Sequence, residues 1–147
     1  PVVIAGDGSE RESCMALARE LGVEIAFPGA LGHDDLLAHL HACDVFAFPS
    51  IARSEAYGIS MLEAHVAGKP VVATTLGTGV EFVNVHGVTG LNVPPKDAEA
   101  LAAAINQLTD DAALRKRFGA AAKKRVETGF HAERIARAEF DLYGKLL

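Results

Sequence analysis

The 147-residue chain has no tryptophan and only two cysteines, and aromatic residues make up 6% of it. Two cysteines, Cys14 and Cys43, cannot form the disulfide framework of a small secreted domain, and they fit a reducing compartment. Nowhere does an apolar run reach the ~18 residues that a membrane-spanning helix needs, and no leader pattern is read at the N-terminus. Positive charge is in the minority: 14 Lys and Arg stand against 19 Asp and Glu, a formal charge of −5. Nucleic-acid binding asks for a basic face, so that partner class is excluded. A membrane-surface role for the intact protein stays open.

Several chemistries are missing as well. His39, His41 and Cys43 are spaced by two, which on a helix points them in different directions, so they do not form a zinc site. Ser60 is not in a Gly-x-Ser-x-Gly elbow, and no Gly-x-x-x-x-Gly-Lys-Ser/Thr loop exists. There is no aspartate cluster to hold a metal, and no cofactor is expected.

What is present is half apolar and alternates. Short runs without clean period-two patterning (Val2 to Ala5, Glu24 to Phe27, Asp44 to Phe48, Pro70 to Thr74, Leu91 to Val93) read as strands. Helical stretches separate them: Ser9 to Leu21, Asp34 to Cys43, Gly58 to Ala67 and Gly79 to Val85. From Asp97 onward the chain reads as helix, over 98–108, 112–127 and 131–147. Strands that are apolar on both faces, each followed by a helix, predict an α/β fold: a Rossmann-like parallel sheet with helices on both faces, in one domain over 1–147.

In such folds ligands collect where strand ends meet helix starts. The Gly6-Asp7-Gly8-Ser9 turn lets backbone approach a phosphate or simply starts a helix with Ser9 as cap, and the motif does not choose. Leu31, in Pro28-Gly29-Ala30-Leu31-Gly32-His33, is either core or an apolar contact for a ligand. Thr78-Gly79 could offer free amides to an anion, or serve as a cap. The most informative loop is Ser54-Glu55-Ala56-Tyr57-Gly58-Ile59-Ser60-Met61-Leu62-Glu63. Glu55 precedes a helix start whose N–H groups lack intrahelical partners. Ile59, Glu63 and Val66 share one stripe, expected to be the buried face, where a carboxylate would have to be paired or hydrogen-bonded. The plain alternative is that Glu55 caps the helix and Glu63 faces water.

The order of strand, Pro49-Ser50 break, Glu55 loop, Gly58 helix start, Glu63-Ala64 and Gly68-Lys69-Pro70-Val71-Val72-Ala73 exit resembles the group 1 retaining glycosyltransferases of GT-B fold. Their signature in this half is Glu, seven residues, Glu. The resemblance implies that Glu55 accepts hydrogen bonds from hydroxyls of the transferred sugar, as the catalytic-site carboxylate but not a covalent nucleophile. It implies that the backbone of Ala56, Tyr57, Gly58 and Ile59 contacts sugar and phosphate, and that Glu63 grips the ribose. Gly6 and Gly8 would approach the diphosphate and Leu31 the nucleobase, with Glu81 a secondary candidate. Tyr57 stands where the family more often has phenylalanine, and Ser9 where it has proline. His65 replaces the usual methionine or small residue and is expected to be a tolerated helix-face residue.

The implied function is donor binding in a hexosyltransferase that uses a nucleoside-diphosphate sugar. The run Thr75 to Val80 with His86-Gly87-Val88-Thr89-Gly90-Leu91 leans toward GDP-mannose and polysaccharide mannosyltransferases. The family's first strand-helix unit, with its diphosphate-holding cations, and the acceptor-binding half are not in this sequence. The chain therefore reads as a C-terminal fragment, inactive alone, of a protein whose acceptor is a saccharide or a lipid-linked sugar. The implied location is the cytoplasm, with attachment to the inner face of the membrane left open. The competing class is a non-catalytic sugar-nucleotide-binding or regulatory module; a different α/β ligand-binding domain comes third.

Overall fold

The computed structural model describes residues 1–146. The chain divides into two compact units, Pro1–His39 and Leu40–Leu147, and each is described by itself.

In the first unit, β1 (Val2–Ala5) leads through α1 (Arg11–Glu20) to β2 (Ile25–Gly29), which lies parallel to β1 in a two-stranded sheet. Gly22, at φ +66, ends the turn after α1 as its position predicts. The Pro28-Gly29 pair does not stop β2. Gly29 pairs with Ala5, and its carbonyl accepts the N–H of Gly6 at 2.8 Å. A proline is tolerated there because the parallel ladder draws only alternate N–H groups toward one neighbour. α2 (His33–Ala42) begins in this unit and carries the chain into the next.

In the second unit three parallel strands lie in the order β3 (Phe46–Phe48), β4 (Val71–Thr74), β5 (Gly90–Val93). They are joined by α3 (Ile59–Val66) and the single-turn α4 (Val80–Val83). All four residues of β4 are buried, as expected of a strand paired on both edges. Val72, Leu91 and Val93 of the sheet pack with Ala104, Leu108 and Phe118 into one apolar cluster. The last three come from α5 (Ala98–Asp110) and α6 (Ala112–Gly129). Both helices start on an aspartate cap: Asp97 accepts from Ala100 N–H at 2.9 Å and Asp111 from Leu114 N–H at 2.8 Å. α7 (Ala132–Leu146) follows with no buried residue. The helix expected over 131–147 agrees with it, except that Leu147 lies outside the described residues. Parallel strands alternating with helices make the chain α/β and Rossmann-like, as the alternation predicts. No helix among the described residues is long and apolar enough to cross a membrane.

Candidate functional site

The second unit builds its site at the carboxyl ends of β3 and β4. β3 stops at Phe48, and the chain turns out through Pro49-Ser50. Thr74, the last residue of β4, donates its hydroxyl to the carbonyl of Ser50 and pins the start of the loop. Ser50, Ile51, Ala52, Ser54 and Glu55 then line an open depression of about 230 Å³. Inside this loop Glu55 N–H donates to Ala52 O at 3.1 Å, closing a tight turn.

The Glu55 carboxylate folds back onto the helix start. Its Oε1 accepts from Gly58 N–H at 2.9 Å and from Tyr57 N–H at 3.3 Å. The amides expected to await a ligand are thus partly engaged by the chain's own carboxylate, which holds the two N–H groups just before α3 while Gly58 is the helix's N-cap, with no side-chain cap bond. The reason is electrostatic: the partial positive charge of a helix N-terminus attracts the nearest anion. Ile59 and Ser60 continue in the first turn, where N–H groups have no intrahelical acceptor. Gly58 is required at this bend. Its φ is +78, and a Cβ there would lie 2.5 Å from Met61 Cε and 3.2 Å from the Phe48 ring.

The face of α3 is the reverse of the expected one. Ile59 is 71% exposed and Val66 57%, and Glu63 between them is only partly buried. Met61, Ala64 and His65 point inward instead. Every side of this short helix carries apolar residues, so its periodicity selects no face, and packing of α3 against α6 does. Glu63, partly exposed on the same stripe as Ile59, therefore needs no buried partner.

His65 is the buried titratable group, at 0% exposure with neither ring nitrogen hydrogen-bonded among the described residues. Burial pushes its pKa down to about 4; the neighbouring Asn84 side chain pulls the other way, and the Arg125 charge adds to the depression. Asn84 is committed elsewhere: its Nδ2 donates to Val71 O, Leu91 O and Asn92 Oδ1, and its Oδ1 accepts from the Thr89 hydroxyl. The expectation of a tolerated helix-face residue is corrected to a neutral imidazole in the core.

The 75–79 loop is closed to anions. Glu81 accepts from Gly77 N–H at 2.7 Å and Thr78 N–H at 3.4 Å, while Gly79 N–H donates to Ala56 O at 2.8 Å. Partial burial raises the Glu81 pKa, but these amide bonds outweigh it and hold the carboxyl below its ordinary value. Glu81 is a clasp of its own loop rather than a free acceptor. Tyr57 is fixed from another side. Its ring meets Phe130 edge-on at 6.2 Å, and Arg125 covers Phe130 and Phe82 at 5.6 and 5.2 Å while donating to Phe82 O at 2.5 Å. Sequence reasoning gave no weight to Arg125 or Phe130, because nothing in their spacing points to Tyr57.

Thus Glu55, Ala56, Tyr57, Gly58, Ile59 and Glu63 come together around one loop and the first turns of one helix. In the first unit, Gly6 and Gly8 are exposed on the turn after β1, where Gly8 N–H donates to Asp7 Oδ1 at 2.9 Å. Leu31 is partly buried in the loop after β2. Among the described residues no group of three or more His, Cys, Asp or Glu could hold a metal ion.

Comparison with known proteins gives the arrangement its lineage. Residues 1–125 match the model of the glycosyl transferases group 1 family. The O-antigen chain mannosyltransferase C of Escherichia coli is 34% identical over 148 aligned positions, covering 100% of this chain and 40% of that protein. The sucrose-phosphate synthase of Thermosynechococcus elongatus superposes with a TM-score of 0.84 at 33% identity, over 98% of this chain and 37% of its own. HepE of Anabaena, in complex with UDP-glucose, does so at 0.84 and 26%, over 97% and 40%. The chain spans about two fifths of the length of these proteins. With its parallel Rossmann-like architecture, its Glu55 and Glu63 eight positions apart, and a family match over most of its length, the chain belongs to the glycosyl transferases group 1.

Proposed function

We propose that this chain is the donor-binding part of a retaining hexosyltransferase that takes a sugar from a nucleoside diphosphate. The observation that carries the reading is the Glu55 carboxylate, anchored by Oε1 on the Tyr57 and Gly58 amides at the rim of the Ser50–Glu55 depression. One oxygen is thereby oriented, and the other is left to accept hydroxyl hydrogens. Charge assistance makes such bonds shorter and stronger than neutral ones. Glu63, partly exposed on α3, grips the ribose in this reading. Gly6, Gly8 and Leu31 keep the roles that the family resemblance implies.

As the sugar leaves its diphosphate, negative charge builds on the leaving oxygen. Amides at a helix start, with cations supplied by parts of the protein outside this sequence, stabilise that charge without acting as nucleophiles. The reading calls for no cofactor. The acceptor is a saccharide or a lipid-linked sugar bound by the remainder of the protein. The complete protein works in the cytoplasm, at the inner face of the membrane where the acceptor is lipid-linked. The mannosyltransferase relative supports a mannose donor, whereas the UDP-glucose complex of HepE supports uridine as base; GDP-mannose keeps a slight preference.

Two substitutions in the complete protein test this. Glu55→Gln should lower kcat more than it weakens binding, by roughly 2–4 kcal/mol if its bonds tighten in the transition state. Glu63→Gln should mainly weaken nucleoside diphosphate binding, by roughly 1–3 kcal/mol. Calorimetric titration with UDP and GDP separates the two, and NMR of the product's anomeric configuration checks retention. Unaltered nucleotide binding by Glu63→Gln together with a lower melting temperature would show Glu63 to be structural.

A further inference from the structure

We infer that Arg53 is a positioning residue for Glu55, a role that rests on the functional reading above and goes beyond it. Arg53 lies two residues before Glu55 on the exposed outer part of the loop. Its guanidinium spans to the neighbouring loop and donates to two successive carbonyls, Nη1 to Leu76 O and Nη2 to Gly77 O, both at 3.2 Å. One residue after Glu55, the Ala56 carbonyl accepts from Gly79 N–H at 2.8 Å. Glu55 is therefore flanked on both sides by bonds to the same 75–79 segment.

That segment is itself held, because Glu81 accepts from the N–H groups of Gly77 and Thr78. Gly77 has a φ of +66, and a Cβ there would lie 3.0 Å from Arg53 Nη1. The sequence thus holds space for the guanidinium as well as acceptors for it. A planar fork matches two adjacent carbonyls in a way that a single ammonium cannot. Among the described residues no carboxylate pairs with Arg53, so its bonding is wholly to this backbone. The consequence is chemical: the turn that carries the Glu55 carboxylate inherits its position from the loop after β4 through Arg53, and a bound sugar misplaced by about 1 Å loses up to a hundredfold in rate.

The test uses the complete protein and four variants: Arg53→Ala, Arg53→Lys, Gly77→Ala and the double Arg53→Ala/Gly77→Ala. Circular dichroism and melting temperature first establish that each folds. For Arg53→Ala we expect kcat to fall about tenfold or more, with nucleoside diphosphate affinity within about twofold of wild type. Arg53→Lys should not restore the rate, since it keeps the charge but not the fork, while added guanidinium ion should partly rescue Arg53→Ala. Gly77→Ala should reproduce the kcat loss, and the double variant should be no worse than the poorer single one. Wild-type kcat in Arg53→Lys, or a weakened affinity with unchanged kcat in Arg53→Ala, overturns the positioning role in favour of a simple charge contact. Glu55→Gln is run alongside. If it is impaired while Arg53→Ala turns over normally, the inference on Arg53 fails and the donor-site reading stands; if Glu55→Gln is fully active, the reading itself fails.

Discussion

Strands β1 and β4 begin with the same pair of residues, Val-Val, and continue as Ile4-Ala5 in one and Ala73-Thr74 in the other. All four residues of β1 are exposed, and all four of β4 are buried. The difference lies in their neighbours. β4 is hydrogen-bonded on both edges, by β3 and β5, and the α5 and α6 side chains complete the cluster around Val72. β1 has one partner, β2, and in its unit Ala18 is the one buried apolar residue. A strand's local sequence sets its conformation; what covers it sets its worth to stability. The same holds for the two glycine-bearing loops. Gly58 is wedged against Met61 and Phe48, whereas Gly6 and Gly8 have open space where a Cβ would go.

The largest effect expected from this contrast is on pH. His65 is the buried histidine of the second unit, with its folded pKa lowered from the ordinary 6.5 to about 4. Between those values the unfolded chain binds a proton that the folded chain refuses, so stability present above pH 6.5 is lost as pH falls toward 4. The loss amounts to about 3 kcal/mol. Urea unfolding between pH 4 and 7 measures it, and His65→Leu should flatten the profile over that range. A profile that His65→Leu leaves unchanged would mean the imidazole is solvated in the folded protein.

Next in size is the pair Val72→Ala and Val3→Ala. The first removes two methyl groups from a fully buried site and should cost roughly 2–3 kcal/mol. The second acts at a position 46% exposed and should cost less than about 1 kcal/mol. Urea midpoints compare them directly; equal losses would break the distinction between the two strands. Smaller again is Gly58→Ala, at roughly 1–2 kcal/mol, because alanine must adopt a left-handed backbone and displace Met61. Gly8→Ala should change stability by no more than about 0.5 kcal/mol. If it nonetheless weakens nucleoside diphosphate binding, the close backbone approach implied for this turn gains support; unchanged binding argues that Gly8 serves only the turn.

Much of this was legible beforehand. The order of strands and helices follows from short apolar runs and their Gly and Pro punctuation, and the Glu55-to-Glu63 spacing identified the lineage. Where the reading failed, the cause was the same each time. α3 carries apolar side chains on every side, so Ile59, Glu63 and Val66 looked as eligible for the interior as Met61, Ala64 and His65. The amides of the 75–79 loop looked free because Glu81, four residues beyond Gly77 in sequence, folds back onto them only once α4 has formed.

By itself, then, the sequence determined the α/β class, the places where the chain turns, and the loop and helix that carry Glu55 and Glu63. Those are local properties, written in the spacing of apolar residues and in which residues accept a left-handed or capped backbone. Only the tertiary structure decided that α3 turns His65 inward and Glu63 outward. It alone also joined Arg53 to the carbonyls of Leu76 and Gly77. Those outcomes depend on which surfaces meet across more than twenty residues of sequence, and no periodicity within one element encodes its partner.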